Sequence, residues 1–214
     1  MNMTKNIVLV AGLALAGSAS AQTYTGTFNS APIPDNDPTG AKFVLNVPDS
    51  FTIGDLNVGL GITHTWQGDL VVTIEHNGTT VGLLNRAGDG AGAGFGFATD
   101  NFGDAATGDL FYLDDEAAEA YDSAAPNGYG TQPATGGIDN VTGNWKPFDV
   151  NGITALSAFD GMDAAGNWSI FITDNAGGDT GTVETLSLEF APVPAPASLA
   201  LLGLGGLAAT RRRR

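Results

Sequence analysis

Eight acidic residues of this 214-residue chain stand where a hard cation could find oxygen ligands. Asp69 follows a turn, Asp100 and Asp104 lie in a Gly-rich stretch, Asp114-Asp115-Glu116 form a run, and Asp174 and Asp179 flank Gly177-Gly178. Calcium takes six to eight oxygens, from carboxylates and carbonyls carried largely on loops. On spacing alone these acids read either as calcium ligands or as a solvated acidic surface, and both readings stay open. The stretch DNDPTG (35–40) imitates the opening of an EF-hand loop. It has Pro38 inside it, Asn46 at the closing position and no helical flanks, which rules that motif out. With two histidines and no cysteine, a transition-metal site is not expected.

Nucleophilic catalysis needs a base histidine held by a carboxylate and placed beside a serine. His64 ends a strand-like alternation and His76 opens a turn signal, and no G-x-S-x-G elbow is present. His64 therefore reads as a strand residue hydrogen-bonded near a sheet edge, and no catalytic residue is expected.

These residues lie between two sorting signals. At the N-terminus, Lys5 precedes an apolar run from Ile7 to Ala16 and then Ala19-Ser20-Ala21, an A-x-A cleavage site. Residues 1–21 read as a signal peptide, and signal peptidase is the implied partner. At the C-terminus, Ala197 to Ala209 is apolar over 13 residues, and Arg211, Arg212, Arg213 and Arg214 follow. As a helix this run reaches only about 20 Å, against the roughly 30 Å of a hydrocarbon core. The arginines mark a cytoplasmic stop. A transient membrane contact is expected, in a segment that works as a sorting signal over 192–214.

Between the signals, residues 22–191 make about 170 residues, enough for one domain with a sizeable core. All 23 acidic residues fall there, with only Lys42, Arg86 and Lys146 to offset them, giving a charge of −20. Such a charge excludes nucleic acid and anionic lipid as partners of that domain. The lack of cysteine excludes a disulfide framework and thiol chemistry.

The dominant period is two. Leu56, Val58, Leu60 and Ile62 share one face; so do Leu70, Val72 and Ile74, and then Val81 with Leu83. Phe43, Leu45 and Val47 repeat the pattern, as do Trp168, Ile170 and Ile172, and finally Leu186, Leu188 and Phe190. Turn signals at His76-Asn77-Gly78 and Gly177-Gly178-Asp179 read as hairpins. Residues 87–107 read as a long surface loop. Many short strands with Gly-rich turns predict an all-β domain, an antiparallel sandwich with jelly-roll character. Trp66 and Trp145 flank turns and offer aromatic faces for a polysaccharide, whereas Trp168 lies in phase with the core.

Two resemblances follow from these motifs. Val193-Pro194-Ala195-Pro196, the apolar run and the arginines Arg211, Arg212, Arg213 and Arg214 resemble the PEP-CTERM sorting signal, with Ala195 where that motif usually carries Glu. The resemblance implies processing by an exosortase-like enzyme and a place at the bacterial cell envelope, cell surface or extracellular matrix. Further upstream, Ile62-Thr63-His64-Thr65 with Gly68-Asp69-Leu70, then Phe159 through Trp168 to Asp174 and Asp179-Thr180-Gly181, resemble the P domain (P/Homo B). That family is the β-sandwich companion of subtilisin-like proprotein convertases, and the likeness runs from Ile33 to Phe190. It implies a β-sandwich and, in several relatives, calcium bound by acidic loops. In that family the protease domain supplies the triad, and no protease domain is expected in this chain. Three roles stay open: a non-catalytic surface module for interaction or structure, an accessory to a serine endopeptidase system, and a polysaccharide binder.

Overall fold

The alternation of apolar residues builds two stacked sheets, because in a strand successive side chains point to opposite faces and only one face is buried. The computed structural model describes residues 20–87, 101–104, 106–118, 120–121, 140–148 and 155–194. Its strands are β1 (Gln22–Ile33), β2 (Asp37–Val47), β3 (Ile53–His64), β4 (Leu70–His76), β5 (Thr79–Asn85), β6 (Asn101–Phe102), β7 (Phe111–Leu113), β8 (Asn140–Val141), β9 (Gly143–Trp145), β10 (Gly166–Asp174) and β11 (Gly181–Pro192). All of them belong to one compact unit, Ala21–Val193. The other unit, Met1–Ser20 with Pro194–Arg214, is described only at Ser20 and Pro194.

One sheet runs β1-β11-β3-β6-β8, with β7 pairing β3 and β9 beside β7; the other runs β2-β10-β4-β5. Pairing is antiparallel except for the two short contacts of β6 with β8 and of β7 with β9. The expected β-sandwich is the observed architecture. Its inner faces carry the residues that the alternation singles out: Leu56, Val58, Leu60, Ile62, Leu186 and Leu188 meet Leu70, Val72, Ile74, Val81, Ile170 and Ile172 in one core. Trp168 belongs to this core and has no exposed surface. Its indole donates to the Ala164 carbonyl at 2.9 Å, and its ring stacks on His76 at 4.0 Å.

Of the local readings, one stands and two change. His76-Asn77-Gly78 does close the β4–β5 hairpin, with Asn77 and Gly78 both at positive φ (48° and 83°), as a tight two-residue turn requires. The turn at Gly177-Gly178-Asp179, by contrast, joins β10 to β11, which lie in different sheets, so it is a crossing and not a hairpin. Turn chemistry specifies a reversal of direction but not which neighbour the next strand finds. The stretch 87–107 is also not loop throughout. Asn101–Phe102 forms β6 against β3, and Phe102 is buried in contact with Phe111 and Tyr121. Residues 88–100 lie outside the described residues.

The first strand carries no apolar alternation strong enough to be read from sequence. Tyr24 and Phe28 pack against the core, while Thr23, Thr25 and Thr27 alternate with them on the other face. β1 is held by its pairing with β11, from Gln22 opposite Phe190 to Ile33 opposite Gly181.

Candidate functional site

At one end of the sandwich the chain crosses between the sheets twice, over residues 65–69 and 175–180, and the crossings meet around a buried His–Asp pair. His64 is the last residue of β3 and Asp174 the last of β10. His64 Nε2 lies 3.3 Å from Asp174 Oδ2, and both side chains have no exposed surface. The other ring nitrogen, Nδ1, is 2.7 Å from the Trp66 carbonyl oxygen and 3.1 Å from the Trp66 amide nitrogen. The ring lies close against β11 because position 181 is glycine: a Cβ there would collide with the His64 ring and the Thr63 carbonyl. Asp174 Oδ1 accepts the amide of Ala176 at 3.1 Å, so the carboxylate also starts the second crossing.

Further bonds knit the two crossings. The Thr65 hydroxyl donates to Asp179 Oδ1 at 2.8 Å, and the Thr180 amide donates back to that hydroxyl at 3.0 Å. The Asn175 amide donates to the Asp69 carbonyl at 2.9 Å. Arg86 closes the cluster just past the end of β5. Its Nε donates to the Gly68 carbonyl at 3.0 Å and its guanidinium stands 3.8 Å from Asp69 Oδ1. Burial pushes the Asp69 carboxyl up to about 6, Asp174 and Asp179 push the same way, and Arg86 and His64 oppose them.

This has a sign in stability. A carboxyl with a raised folded pKa lends stability that is complete below its ordinary pKa near 4 and is lost as pH rises through about 6. Asp69→Asn should therefore gain on the parent protein between pH 4.5 and 7, as read by melting curves at matched ionic strength. Parallel pH profiles for the two proteins would show that Asp69 titrates normally.

The second acidic group lies elsewhere. Asp115 accepts the amides of Leu156 and Ser157, both at 2.9 Å, and so caps the short 3-10 turn Leu156–Phe159. Asp114 Oδ1 accepts the Glu116 amide at 2.8 Å and its Oδ2 accepts Asn144 Nδ2 at 3.4 Å. Burial raises the Glu116 carboxyl, with Asp55 and Asp114 adding to it. Burial likewise raises Asp160, with Asp55 and Asp115 adding. Asp55 and Asp160 are thus members of this crowd that sequence reasoning missed. A signal for Asp55 is present, since it lies in phase with Asn57 and Gly59 on the outward side of β3.

The eight acids are accordingly not one ligand set. Asp69, Asp174 and Asp179 gather around His64 and Arg86, while Asp114, Asp115 and Glu116 gather near Asp55 and Asp160. Asp104 caps its own turn by accepting the Ala106 amide at 2.8 Å, which holds its carboxyl below the usual range. Asp100 lies outside the described residues. Among the described residues no three His, Asp or Glu side chains are placed to hold one metal ion.

His76 is buried and stacked on Trp168, with its ring nitrogens near the carbonyls of Asn167 and Asp163 at 3.1 and 2.8 Å. Trp66 and Trp145 are both half-buried. Trp145 packs on Phe111 and Tyr121 and donates to the Thr142 carbonyl, so it closes the core instead of offering a free platform. Of the signal residues, Ala21, Val193 and Pro194 are described. Ala19, Ala195, Pro196, Arg211, Arg212, Arg213 and Arg214 lie outside the described residues, so the sorting reading of the four arginines rests on sequence.

Residues 192–214 match the PEP-CTERM protein-sorting motif, and the match includes Arg211, Arg212, Arg213 and Arg214. This segment is a PEP-CTERM sorting signal. That motif implies export to the bacterial cell surface or envelope and processing by an exosortase-type enzyme. No helix among the described residues is long and apolar enough to cross a membrane. Two solved structures are similar to the chain in part: the serine protease of Aeromonas sobria, at 14% identity and TM-score 0.45, and the same protease in complex with its chaperone, at 14% and 0.44. They match 83% and 84% of this chain, which spans 27% of the length of each matched chain. No curated protein matches the chain.

Proposed function

We propose that residues 22–191 form a non-catalytic P-domain-like module, exported and displayed at the cell envelope by the C-terminal signal, with an interaction or structural role. The observation that carries the non-catalytic part is the state of the His64–Asp174 pair. A general base must present a ring nitrogen to a nucleophile within about 3 Å and must be reachable by substrate. Here both imidazole nitrogens are engaged by the chain itself and the pair is sealed from solvent. Among the described residues, no serine hydroxyl bonds to His64 or His76. The full chain should leave casein and dibasic peptides uncut, and His64→Ala should change melting without changing that blank. Turnover that disappears in His64→Ala would overturn the reading.

The order of the blocks between Ile33 and Phe190 supports a second reading, an accessory domain of a subtilisin-like endopeptidase system. Co-purification of such a protease from the native envelope would favour it.

Calcium stabilisation is a further part of the proposal, and it rests on the crowding of Asp55, Asp114, Asp115, Glu116 and Asp160. These are carboxylate oxygens of the type calcium takes, although side chains must rearrange to surround one ion. At ten times its dissociation constant an ion adds about 1.4 kcal/mol, a Tm rise of roughly 3 to 6 °C for a domain of this size. Magnesium should do less, because it demands tighter octahedral geometry. Equal melting in calcium, magnesium and chelator at fixed ionic strength would remove the ion from the account.

A further inference from the structure

The outer face of the larger sheet carries a cleft of about 460 Å³. The register places its lining in two rows across the strands. Thr25 of β1 is opposite Ser187 of β11, then Gly59 of β3, then Tyr112 of β7; two residues along, Thr27 is opposite Thr185 and then Gly61. Four strands at about 4.8 Å spacing make the longer row about 14 Å long, and the rows lie about 7 Å apart.

The floor is low at Gly61, which carries no side chain. Leu110 and the Tyr112 ring lie over Gly59, so that a Cβ there would come within 2.8 Å of the ring. The Tyr112 hydroxyl donates to Glu189 Oε1 at 2.7 Å, which fixes the ring in place. The rim is hydroxyl-rich. Thr25 and Ser187 share a bond at 3.2 Å, and Thr23, Thr27 and Thr185 line the cleft with hydroxyls that have no side-chain partner among the described residues. Glu184 and Asp104 supply carboxylates. Glu184 is held in place by the hydroxyls of Thr182 and Ser30.

We propose that this cleft binds a neutral polysaccharide chain. Its volume falls in the range of small-molecule sites, which combine apolar surface with a few placed polar groups. A sugar ring presents both kinds of surface: apolar C–H faces suit Leu110 and the Tyr112 ring, and its hydroxyls pair with threonine hydroxyls and donate to carboxylates. Among the described residues no lysine, arginine or histidine lines the cleft, and the domain's charge is strongly negative, so an acidic glycan is repelled. The site is separate from the half-buried tryptophans and does not depend on whether the chain cleaves peptides.

The test is retention of the full chain on an array of cello-, xylo- and manno-oligosaccharides and dextran, with polygalacturonate as the acidic control. The variants are Thr27→Val with Thr185→Val, which remove two rim hydroxyls at nearly constant volume, and Gly61→Ser, which raises the floor. The expected result is retention of at least one neutral glycan, weakened tenfold or more in both variants while Tm stays within a degree or two of the parent. The proposal is overturned if no neutral glycan is retained, if both variants bind as the parent does, or if polygalacturonate is retained best.

Discussion

Asp174→Ala is expected to cost the fold about 3 to 5 kcal/mol, since it leaves two polar groups unpaired and each costs roughly 1 to 3 kcal/mol when buried. For a domain of this size that is a fall in Tm of roughly 6 to 20 °C. The loss has two sources. His64 Nε2 is left without its partner in a site sealed from solvent, and the Ala176 amide loses the acceptor that starts the second crossing. One effect acts the other way, since removing the Asp174 charge relieves Asp69. Asp174→Asn keeps an acceptor for Ala176 and should lose less than half as much. Thermal or urea unfolding of the three proteins checks this, and an alanine variant within about 1 kcal/mol of the parent, the effect of an ordinary substitution, would show that Thr65, Asn175 and Arg86 hold the two crossings without the pair.

Removing residues 192–214 should shift the protein out of the envelope fraction almost completely. The matched motif lies wholly in this segment, and its parts act in series: a proline motif for recognition, a short apolar run and a cationic stop. Replacing Arg211, Arg212, Arg213 and Arg214 together by glutamine should have nearly the same effect, because a 13-residue apolar run without its charged end has no fixed register in the bilayer. Protein recovered from the native envelope should also show, by intact mass, the loss of those four arginines through processing. Envelope recovery of the truncated chain at the parent level would sink the sorting role, and a mature protein retaining Arg214 would sink the processing step alone.

His64 shows what a sequence can and cannot say about a site. Its place at the end of an alternating strand is evident, and so is the absence of a nucleophile elbow. Its partner Asp174 lies 110 residues away, and only the pairing of β10 with β4 and of β11 with β3 brings the two together. The acids divide in the same manner. A spacing argument treats Asp69, Asp104 and Asp115 alike, yet one faces an arginine, one caps its own turn and one caps a segment 41 residues downstream.

Sequence alone determined the class of this fold and the sorting of the chain, because both depend on local composition. A period of two decides which side chains face the core wherever a strand forms, and burial of Leu56, Val58, Leu60 and Ile62 follows from that alternation and the apolar chemistry of the residues. A proline motif, 13 apolar residues and four arginines act as a contiguous signal whatever the domain before them does. Tertiary structure decided everything that depends on which strands are neighbours. It made the Gly178 turn a crossing between sheets and buried Phe102 in a strand. It also set the threonines of β1 beside Ser187 and Thr185, with Thr25 and Ser187 joined across 162 residues, next to two glycines. The physical reason is that alternation assigns a face but not a partner. Strand order and register are chosen by how the whole apolar surface packs, and the outer faces inherit their chemistry from that choice.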